Sequence, residues 1–204
     1  MTEDEPSELP GFPPEEIPVF YYDLGSPYSY LAAERIHSVF DEPPVWRPIL
    51  LGALFRLHGR DSWANGPGRE AGMREVELRA SGYGLPPVRW PDPWPGNTLL
   101  AMRAATFATQ IGKAVSFAQA AFRQAFAGGK DLTDPENVLI AAAACELHPN
   151  ALVKAVEMQS VKDALRSATD EAAARGVFGV PTVVVGDEAY WGDDRLEEAA
   201  AAGR

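Results

Sequence analysis

Sheet-forming residues occur near the two ends of this chain, and the long middle is patterned for helices. Near the N-terminus, apolar β-formers at 17–22 precede a helical pattern and a second short run, Val45–Arg47. Near the C-terminus, the runs Pro181–Val185 and 189–191 flank Gly186-Asp187, a dipeptide typical of a hairpin turn. This order predicts an α/β protein of the form βαβ…ββα, with a large all-helical insertion between the two halves.

Composition bounds the organisation of the 204 residues and the class of partner. Residues 1–16 are rich in Pro and Glu and contain six acidic but no basic residues, which predicts a disordered acidic arm. The formal net charge is −11, more than half of it from this arm, and no basic run occurs. Without a basic patch or a Lys/Arg-rich run to neutralise phosphates, a nucleic-acid partner is not expected.

The same sequence constrains compartment and redox chemistry. An acidic, Pro-rich N-terminus without an apolar core is unlike a secretory signal, and no apolar run reaches the roughly 18 residues of a spanning helix. These features predict a cytoplasmic protein without a membrane segment. The single cysteine, Cys145, lies in an Ala-rich helical pattern and is expected in the core. One cysteine cannot form an intramolecular disulfide, so dithiol redox chemistry within one chain is excluded.

The segment Ser26-Pro-Tyr-Ser29 joins the first predicted strand to the first predicted helix. Ser26 suits the N-cap and Pro27 the first helical turn. Thioredoxin-like proteins commonly carry Cys-x-x-Cys at this place, where the helix N-terminus lowers the pKa of the leading thiol. Here hydroxyls replace both sulfurs. Ser26 is therefore either a helix cap alone or a hydroxyl that acts on a sulfur supplied by another molecule.

Five motifs occur in the order found in a known family: Phe20–Asp23 with Ser26–Ala32, Arg47–Gly52, Asn97–Leu99, Gly176–Thr182 and Trp191–Leu196. Together they resemble the 2-hydroxychromene-2-carboxylate isomerase family and its relative, the kappa-class glutathione transferases. The resemblance implies a DsbA-like elaboration of the thioredoxin fold. The thioredoxin-like domain would comprise residues 17–58 and 176–204, and residues 59–175 would form the helical insertion domain.

The resemblance also implies a cofactor and its site. Glutathione, or another low-molecular-weight thiol, would supply the missing sulfur, and Ser26 would be the catalytic residue that holds its thiolate. Val180, before a cis Pro181, would bind the cysteinyl part through its main chain, and Asp194 with Arg195 would bind the glutamyl end. The residues alone also permit a trans Pro181 opening a strand, and an Asp194 that only favours a helix N-terminus beside a solvated Arg195.

A substrate pocket is expected between Ser26 and the helical insertion. Its candidate wall residues are apolar or aromatic: Tyr28, Leu51, Phe55, Trp90, Trp94 and Trp191. His58 and Arg60 stand where the family often has Gly-Asn, and Arg69 is a candidate replacement for a family lysine, so the substrate itself stays open.

Three hypotheses follow. The first is a glutathione-dependent isomerase of an aromatic-degradation intermediate. The second is a kappa-like transferase that conjugates electrophiles, and the third is a non-catalytic thioredoxin-like binding module. The resemblance implies a small-molecule substrate and a homodimer.

Overall fold

A computed structural model describes residues 17–203, so the predicted acidic arm, 1–16, lies outside the described residues. The sheet has four strands in the order β2-β1-β3-β4. Strand β2 runs parallel to β1, whereas β3 pairs antiparallel with both β1 and β4. The strands are β1 (Val19–Tyr22), β2 (Val45–Pro48), β3 (Thr182–Val185) and β4 (Glu188–Trp191).

Helices make up most of the remaining described chain. Those that accompany the strands are α1 (Pro27–Val39), α2 (Leu51–Leu57) and α9 (Leu196–Ala202). Between α2 and β3 lie α3 (Arg69–Gly82), α4 (Leu99–Gln110), α5 (Ala114–Phe122), α6 (Pro135–Ala144), α7 (Pro149–Ala155) and α8 (Gln159–Ala174). Short 3-10 turns occur at Trp63–Asn65 and Asp193–Arg195, and a π-helical turn at Arg123–Ala127 extends α5. The predicted order of strands and helices is confirmed.

Local signals set several element boundaries, as the sequence predicts. The Ser26 side chain accepts a hydrogen bond from the Ser29 N–H, which caps α1 with Pro27 in its first turn. Asp134 caps α6 in the same way by accepting from the Glu136 N–H. Gly186 adopts a φ of +55° in the hairpin turn, where a residue without Cβ is favoured.

Two hydrophobic clusters cover the two faces of the sheet. Side chains alternate along a strand, so Phe20 and Tyr22 lie in one cluster while Tyr21 lies in the other. In the larger cluster the Tyr22 ring lies 5.7 Å from Trp46 and 5.8 Å from Phe122 of α5. The sheet and the central helices therefore share one continuous core. The division into a thioredoxin-like domain and an insertion domain stays a prediction.

Cys145 is 7% exposed and belongs to the larger cluster, as expected for a packed residue. Burial raises the pKa of its thiol, which disfavours the reactive thiolate. None of the helices within residues 17–203 is long and apolar enough to cross a membrane.

The shared core gives a stability prediction. Phe122→Ala removes a fully buried ring that contacts Tyr22 and Tyr30, so the free energy of unfolding should fall by about 3–5 kcal/mol in urea titrations. Ile140→Ala on the neighbouring α6 is the matched control, because its side chain is 55% exposed. It should change stability by about 0.5 kcal/mol or less. Equal losses in the two variants would contradict a core shared between sheet and helices.

Candidate active site

A cavity of about 900 Å³ opens where the start of α1 meets the loop before β3 and the turn after β4. Other walls come from α2, α3 and the loop before α4. Most of the residues predicted for the site line this cavity: Ser26, Tyr28, Leu51, Phe55, Trp94, Val180, Pro181, Trp191 and Asp194. The fold thus brings together residues that are more than 160 positions apart in the sequence.

Two of the predicted site residues do not line the cavity. Trp90 lies behind Trp94 at 4.6 Å between ring centroids, and its indole N–H donates to Glu77 at 2.7 Å. Arg195 turns toward its own helix, where its Nε donates to Glu198 at 2.7 Å and its guanidinium lies 5.1 Å from the Tyr190 ring. Trp90 therefore packs behind a wall residue, whereas Arg195 contacts two residues that do not line the cavity.

Ser26 lies at the mouth of α1 and is 4% exposed. Its Oγ accepts from the Ser29 N–H at 3.2 Å, while its own N–H donates to the Asp23 carbonyl at 3.0 Å. A hydroxyl has one donor and two acceptor sites, so capping uses a lone pair and leaves the proton. Within residues 17–203 the Ser26 O–H has no acceptor. The hydroxyl can cap the helix and still donate into the cavity.

Asp23, which the sequence reasoning did not single out as a site residue, ties three segments of the cavity together. Its Oδ1 accepts from the Gly25 N–H at 2.8 Å and from the Thr98 hydroxyl at 3.2 Å, and its Oδ2 accepts from the Leu51 N–H at 2.9 Å. Burial raises the pKa of this carboxyl, and the three hydrogen bonds oppose the rise. In the sequence, Asp23 is marked by its position directly after the first predicted strand and by its place at the end of the motif Phe20–Asp23.

The loop before β3 presents main chain to the cavity. The Val180–Pro181 peptide bond is cis, as the resemblance implies. The Pro181 carbonyl accepts from the Gly192 N–H at 2.9 Å, whereas within residues 17–203 the main-chain N–H and C=O of Val180 have no partner among loop and turn contacts. A Cβ on Gly179 would lie 2.7 Å from Nε1 of Trp191, so the indole packs directly on this loop.

Aromatic residues form another wall, which includes Trp63, a residue that sequence reasoning missed. The Trp63 ring lies 6.1 Å from Tyr28 and 5.4 Å from Trp94, whose indole N–H donates to the Gly25 carbonyl at 3.3 Å. Burial, and then the nearby Glu75 carboxylate, raise the pKa of Tyr28 to about 12. The Tyr28 phenol therefore stays neutral at physiological pH and can donate a hydrogen bond.

Charged residues occupy two other parts of the wall. Arg56 and Arg60 line the cavity, and within residues 17–203 neither forms an ion pair. The Arg60 guanidinium lies 5.4 Å from the Trp191 ring. At the turn after β4, Asp193 accepts from Arg79 at 2.8 Å and from the Tyr83 hydroxyl at 2.9 Å. No group of three or more His, Cys, Asp or Glu side chains within residues 17–203 is arranged to hold a metal ion.

Fold and site together define a thioredoxin-like protein with a hydroxyl where a redox cysteine commonly lies. The model of the DSBA-like thioredoxin domain matches residues 19–202, and the chain belongs to that family. The resemblance inferred from the five motifs is borne out by named relatives.

The relatives are similar over nearly their whole length. The chain is 29% identical over 185 residues to 2-hydroxychromene-2-carboxylate isomerase from Sphingobium xenophagum, covering 87% of this chain and 93% of the relative. It is 26% identical over 203 residues to glutathione S-transferase kappa 1 from Rattus norvegicus, covering 91% and 89%. The solved structure of a 2-hydroxychromene-2-carboxylate isomerase has a TM-score of 0.82 at 22% identity, covering 91% of this chain and 93% of that one. At that identity the structural match establishes the fold.

The buried carboxylate at Asp23 gives a prediction about stability and pH. Asp23→Asn replaces one acceptor oxygen by an amide, so at neutral pH the free energy of unfolding should fall by about 1–3 kcal/mol. The pKa of Asp23 is raised in the folded chain, so the folded state binds the proton more tightly than the unfolded state. As the pH falls through the pKa that Asp23 has in the folded chain, protonation of Asp23 therefore adds to the free energy of unfolding. The Asp23→Asn variant has no group to protonate at this position, so it does not gain this stability.

The stability gap between wild type and Asp23→Asn should therefore widen between about pH 7 and pH 4, as measured by urea unfolding at each pH. Thr98→Val is the control, because it removes one hydrogen bond to Asp23 and keeps the carboxyl. Because the Thr98 hydrogen bond lowers the pKa of Asp23, its loss should raise that pKa further, and the gap between wild type and Thr98→Val should narrow slightly on acidification. A gap for Asp23→Asn that narrows on acidification would contradict the assignment.

Proposed function

We propose that the protein is a glutathione-dependent isomerase of the 2-hydroxychromene-2-carboxylate isomerase type, with the cofactor thiolate held by Ser26. The observation that carries the proposal is the Ser26 hydroxyl, whose proton has no acceptor within residues 17–203 and which lines one cavity with Val180 and Asp194. A cavity built around a helix N-terminus and a hydroxyl, in a chain whose single cysteine is buried elsewhere, suits a sulfur nucleophile supplied by a cofactor.

The residues present fit a tripeptide thiol. Val180 offers a main-chain donor and acceptor without partners among loop and turn contacts, which can pair with the cysteinyl part as a short strand edge does. Asp194, in the 3-10 turn directly before α9, would hold the ammonium of the glutamyl end. Arg195 pairs with Glu198 outside the cavity lining, so it would contact the carboxylate at that end only after releasing Glu198. The cavity of about 900 Å³ is at the upper end of ligand-site volumes, which leaves space for a second molecule beside the cofactor.

Ser26 and α1 would stabilise the thiolate by two effects. The Ser26 O–H donates a charge-assisted hydrogen bond to the sulfur, and the N-terminus of the 13-residue α1 carries the positive end of the helix dipole. The dipole alone is worth about 0.3–1 kcal/mol at an exposed helix end. Because Ser26 caps the helix through an oxygen lone pair, its O–H can donate to the thiolate at the same time.

When bound, glutathione would supply a thiolate that adds to an electron-poor double bond, allows rotation about the resulting single bond, and leaves unchanged by elimination. The chain's own residues would orient the substrate against that sulfur. Tyr28, whose neutral phenol hydrogen-bonds with Glu75, offers a polar group near Ser26, and Trp191 offers an aromatic surface. Arg56 and Arg60, without ion-pair partners within residues 17–203, suit the carboxylate of an aromatic acid.

A kappa-like glutathione transferase is the second candidate, because relatives of both names match nearly the whole chain at similar identity. Both functions would use the same activated thiolate, and they differ in whether the sulfur stays on the product. The homodimer that the resemblance implies stays a prediction, which sedimentation velocity tests.

The role of Ser26 is tested by Ser26→Ala. Loss of a hydrogen bond to a charged group costs about 1.5–3 kcal/mol, so the pKa of the bound thiol should rise by about 1–2 and turnover at neutral pH should fall by about tenfold or more. Higher pH should partly restore turnover, while the affinity for glutathione changes little. The thiolate absorbance of the complex, titrated with pH, measures the pKa directly.

Ser29→Ala is the matched control for Ser26→Ala. Within residues 17–203 the buried Ser29 hydroxyl has no hydrogen-bond partner, and it does not line the cavity, so its loss should leave the thiol pKa unchanged. Thermal unfolding must accompany both variants, because the lost cap in Ser26→Ala costs about 1 kcal/mol of stability. If Ser26→Ala lowers stability but keeps wild-type turnover and thiol titration, Ser26 is a cap only.

The proposed function itself is tested by product analysis. Purified protein with glutathione and a hydroxychromene carboxylate should convert the substrate while the free thiol concentration stays constant. Stoichiometric loss of thiol with formation of a conjugate would favour the transferase. Mass spectrometry of a small molecule retained by the purified protein should identify a thiol, and an absence of both thiol binding and turnover would contradict both candidates.

A further inference from the structure

The carboxylate of Asp193 lies in the turn that also carries Asp194, and it is 1% exposed. Its Oδ1 accepts from Arg79 Nη1 at 2.8 Å, and its Oδ2 accepts from the Tyr83 hydroxyl at 2.9 Å. The Asp193 main-chain oxygen accepts from Arg35 Nη1 at 2.8 Å. One buried residue therefore attaches the turn after β4 to α1, to α3 and to Tyr83, the residue directly after α3.

Arg79 is the cation at the centre of this cluster, and it lines the cavity. Besides Asp193, its guanidinium lies 3.6 Å from Asp194 Oδ2 and donates to Glu75 at 2.7 Å. It also lies 5.4 Å from the centre of the Tyr28 ring. A single side chain of α3 thus contacts the cofactor-binding turn of the proposed function and the residue two positions after Ser26.

Arg79 supplies the positive charge that balances the Asp193 carboxylate. Arg35 is engaged by the Asp193 carbonyl and by Glu197, so Arg79 is the cation that contacts the Asp193 carboxylate itself. Burial raises the pKa of Asp193, the Arg79 charge lowers it, and the neighbouring Asp194 raises it. The titratable and charged groups that face the cluster from all packed elements are Tyr28, Arg35, Glu75, Arg79, Tyr83, Asp194 and Glu197.

Asp194 packs closely against the main chain of the same turn, so its position depends on that of Asp193. Gly192 has a φ of +124°, and a Cβ there would collide with Oδ1 of Asp194. The Asp194 carboxylate therefore lies directly over the Gly192 main chain, with Arg79 on its other oxygen. Loss of Arg79 would leave two adjacent carboxylates, one of them buried, without a shared cation.

We propose that Arg79 is a positioning residue for the thiol cofactor: by binding the buried Asp193 carboxylate it holds the turn that presents Asp194 to the cofactor's ammonium group. This inference rests on the proposed function. Helix α3, which carries Arg79, would thus contribute to cofactor affinity, whereas Ser26 and α1 would lower the pKa of the sulfur.

The experiment compares glutathione binding by calorimetry in the wild type, Arg79→Gln, and the double variant Arg79→Gln/Asp193→Asn. At about pH 7.5 the Arg79→Gln variant should bind about 10- to 100-fold more weakly, the scale of a lost hydrogen bond to a charged group. The pKa of the bound thiol should stay at the wild-type value, because Ser26 and α1 are intact. The double variant should recover affinity to within about threefold, since it removes the uncompensated charge together with its partner.

A pH series separates this role from a general loss of structure. Without Arg79, the pKa of Asp193 rises further, so lowering the pH from about 7.5 to about 5.5 should tighten binding in Arg79→Gln more than in the wild type. Arg123→Gln is the control, because Arg123 pairs with Glu34 at 2.8 Å and does not line the cavity. Its affinity for glutathione should be unchanged at both pH values.

The outcomes are distinct. If the wild type binds glutathione and Arg79→Gln binds it equally well, or if the double variant binds no better than Arg79→Gln, the inference is wrong and the proposed function stands. If the wild type does not bind glutathione, the proposed function and this inference both fail. Should Arg79→Gln not fold, Tyr83→Phe, which removes the other side-chain donor to Asp193, should weaken binding without changing the thiol pKa; unchanged binding would overturn the inference.

Discussion

The buried carboxylate of Asp23 is the contact on which the geometry of the cavity depends. Its three hydrogen bonds join the end of β1, the start of α2 and the residue before α4, three segments that share no secondary structure. The Asp23 carbonyl also accepts from the Ser26 N–H, so the residue fixes the approach to α1. Because a buried carboxyl group is tolerated only when it is hydrogen-bonded, the site has little freedom to rearrange around Asp23. The hydrogen bonds of Asp23 thus hold the cavity walls in place, and aromatic core residues pack behind these walls.

Features that depend on neighbouring residues could be predicted from the sequence. The strand before Asp23, the Ser26-Pro27 helix start, the Asp134 cap and the hairpin at Gly186 all follow from backbone preferences acting over a few positions. The prediction of the candidate site residues depended on the family motifs instead. Those motifs marked the positions of Ser26, Val180 and Asp194 because each lies beside a strand or helix end that the thioredoxin fold brings to the same edge.

Features that depend on distant residues could not be predicted. Asp193 and Arg79 are separated by 114 positions, and no local pattern distinguishes this buried Asp from the cavity-facing Asp194 beside it. Trp90 and Trp94 look alike in the sequence, yet only Trp94 reaches the cavity because Trp90 packs behind it on Phe126. Trp63 falls in a segment with Gly and Pro that predicts a loop, and its place in the wall comes from close packing of its ring on Gly72 of α3. In each case packing between elements decided the outcome.

The cap at Ser26 has a consequence for the way this position can vary. At an ordinary helix start, Ser, Thr, Asp and Asn are nearly interchangeable, because each offers an oxygen to the same N–H group. An Asp at 26 would satisfy that N–H equally well, but it would bring a negative charge, and no proton, to the place proposed for a thiolate. Selection for a folded chain and selection for a reactive one therefore accept different residues at this single position. Among close relatives with intact folds, the residue at the mouth of α1 would separate lineages that retained the chemistry from lineages that kept only the scaffold.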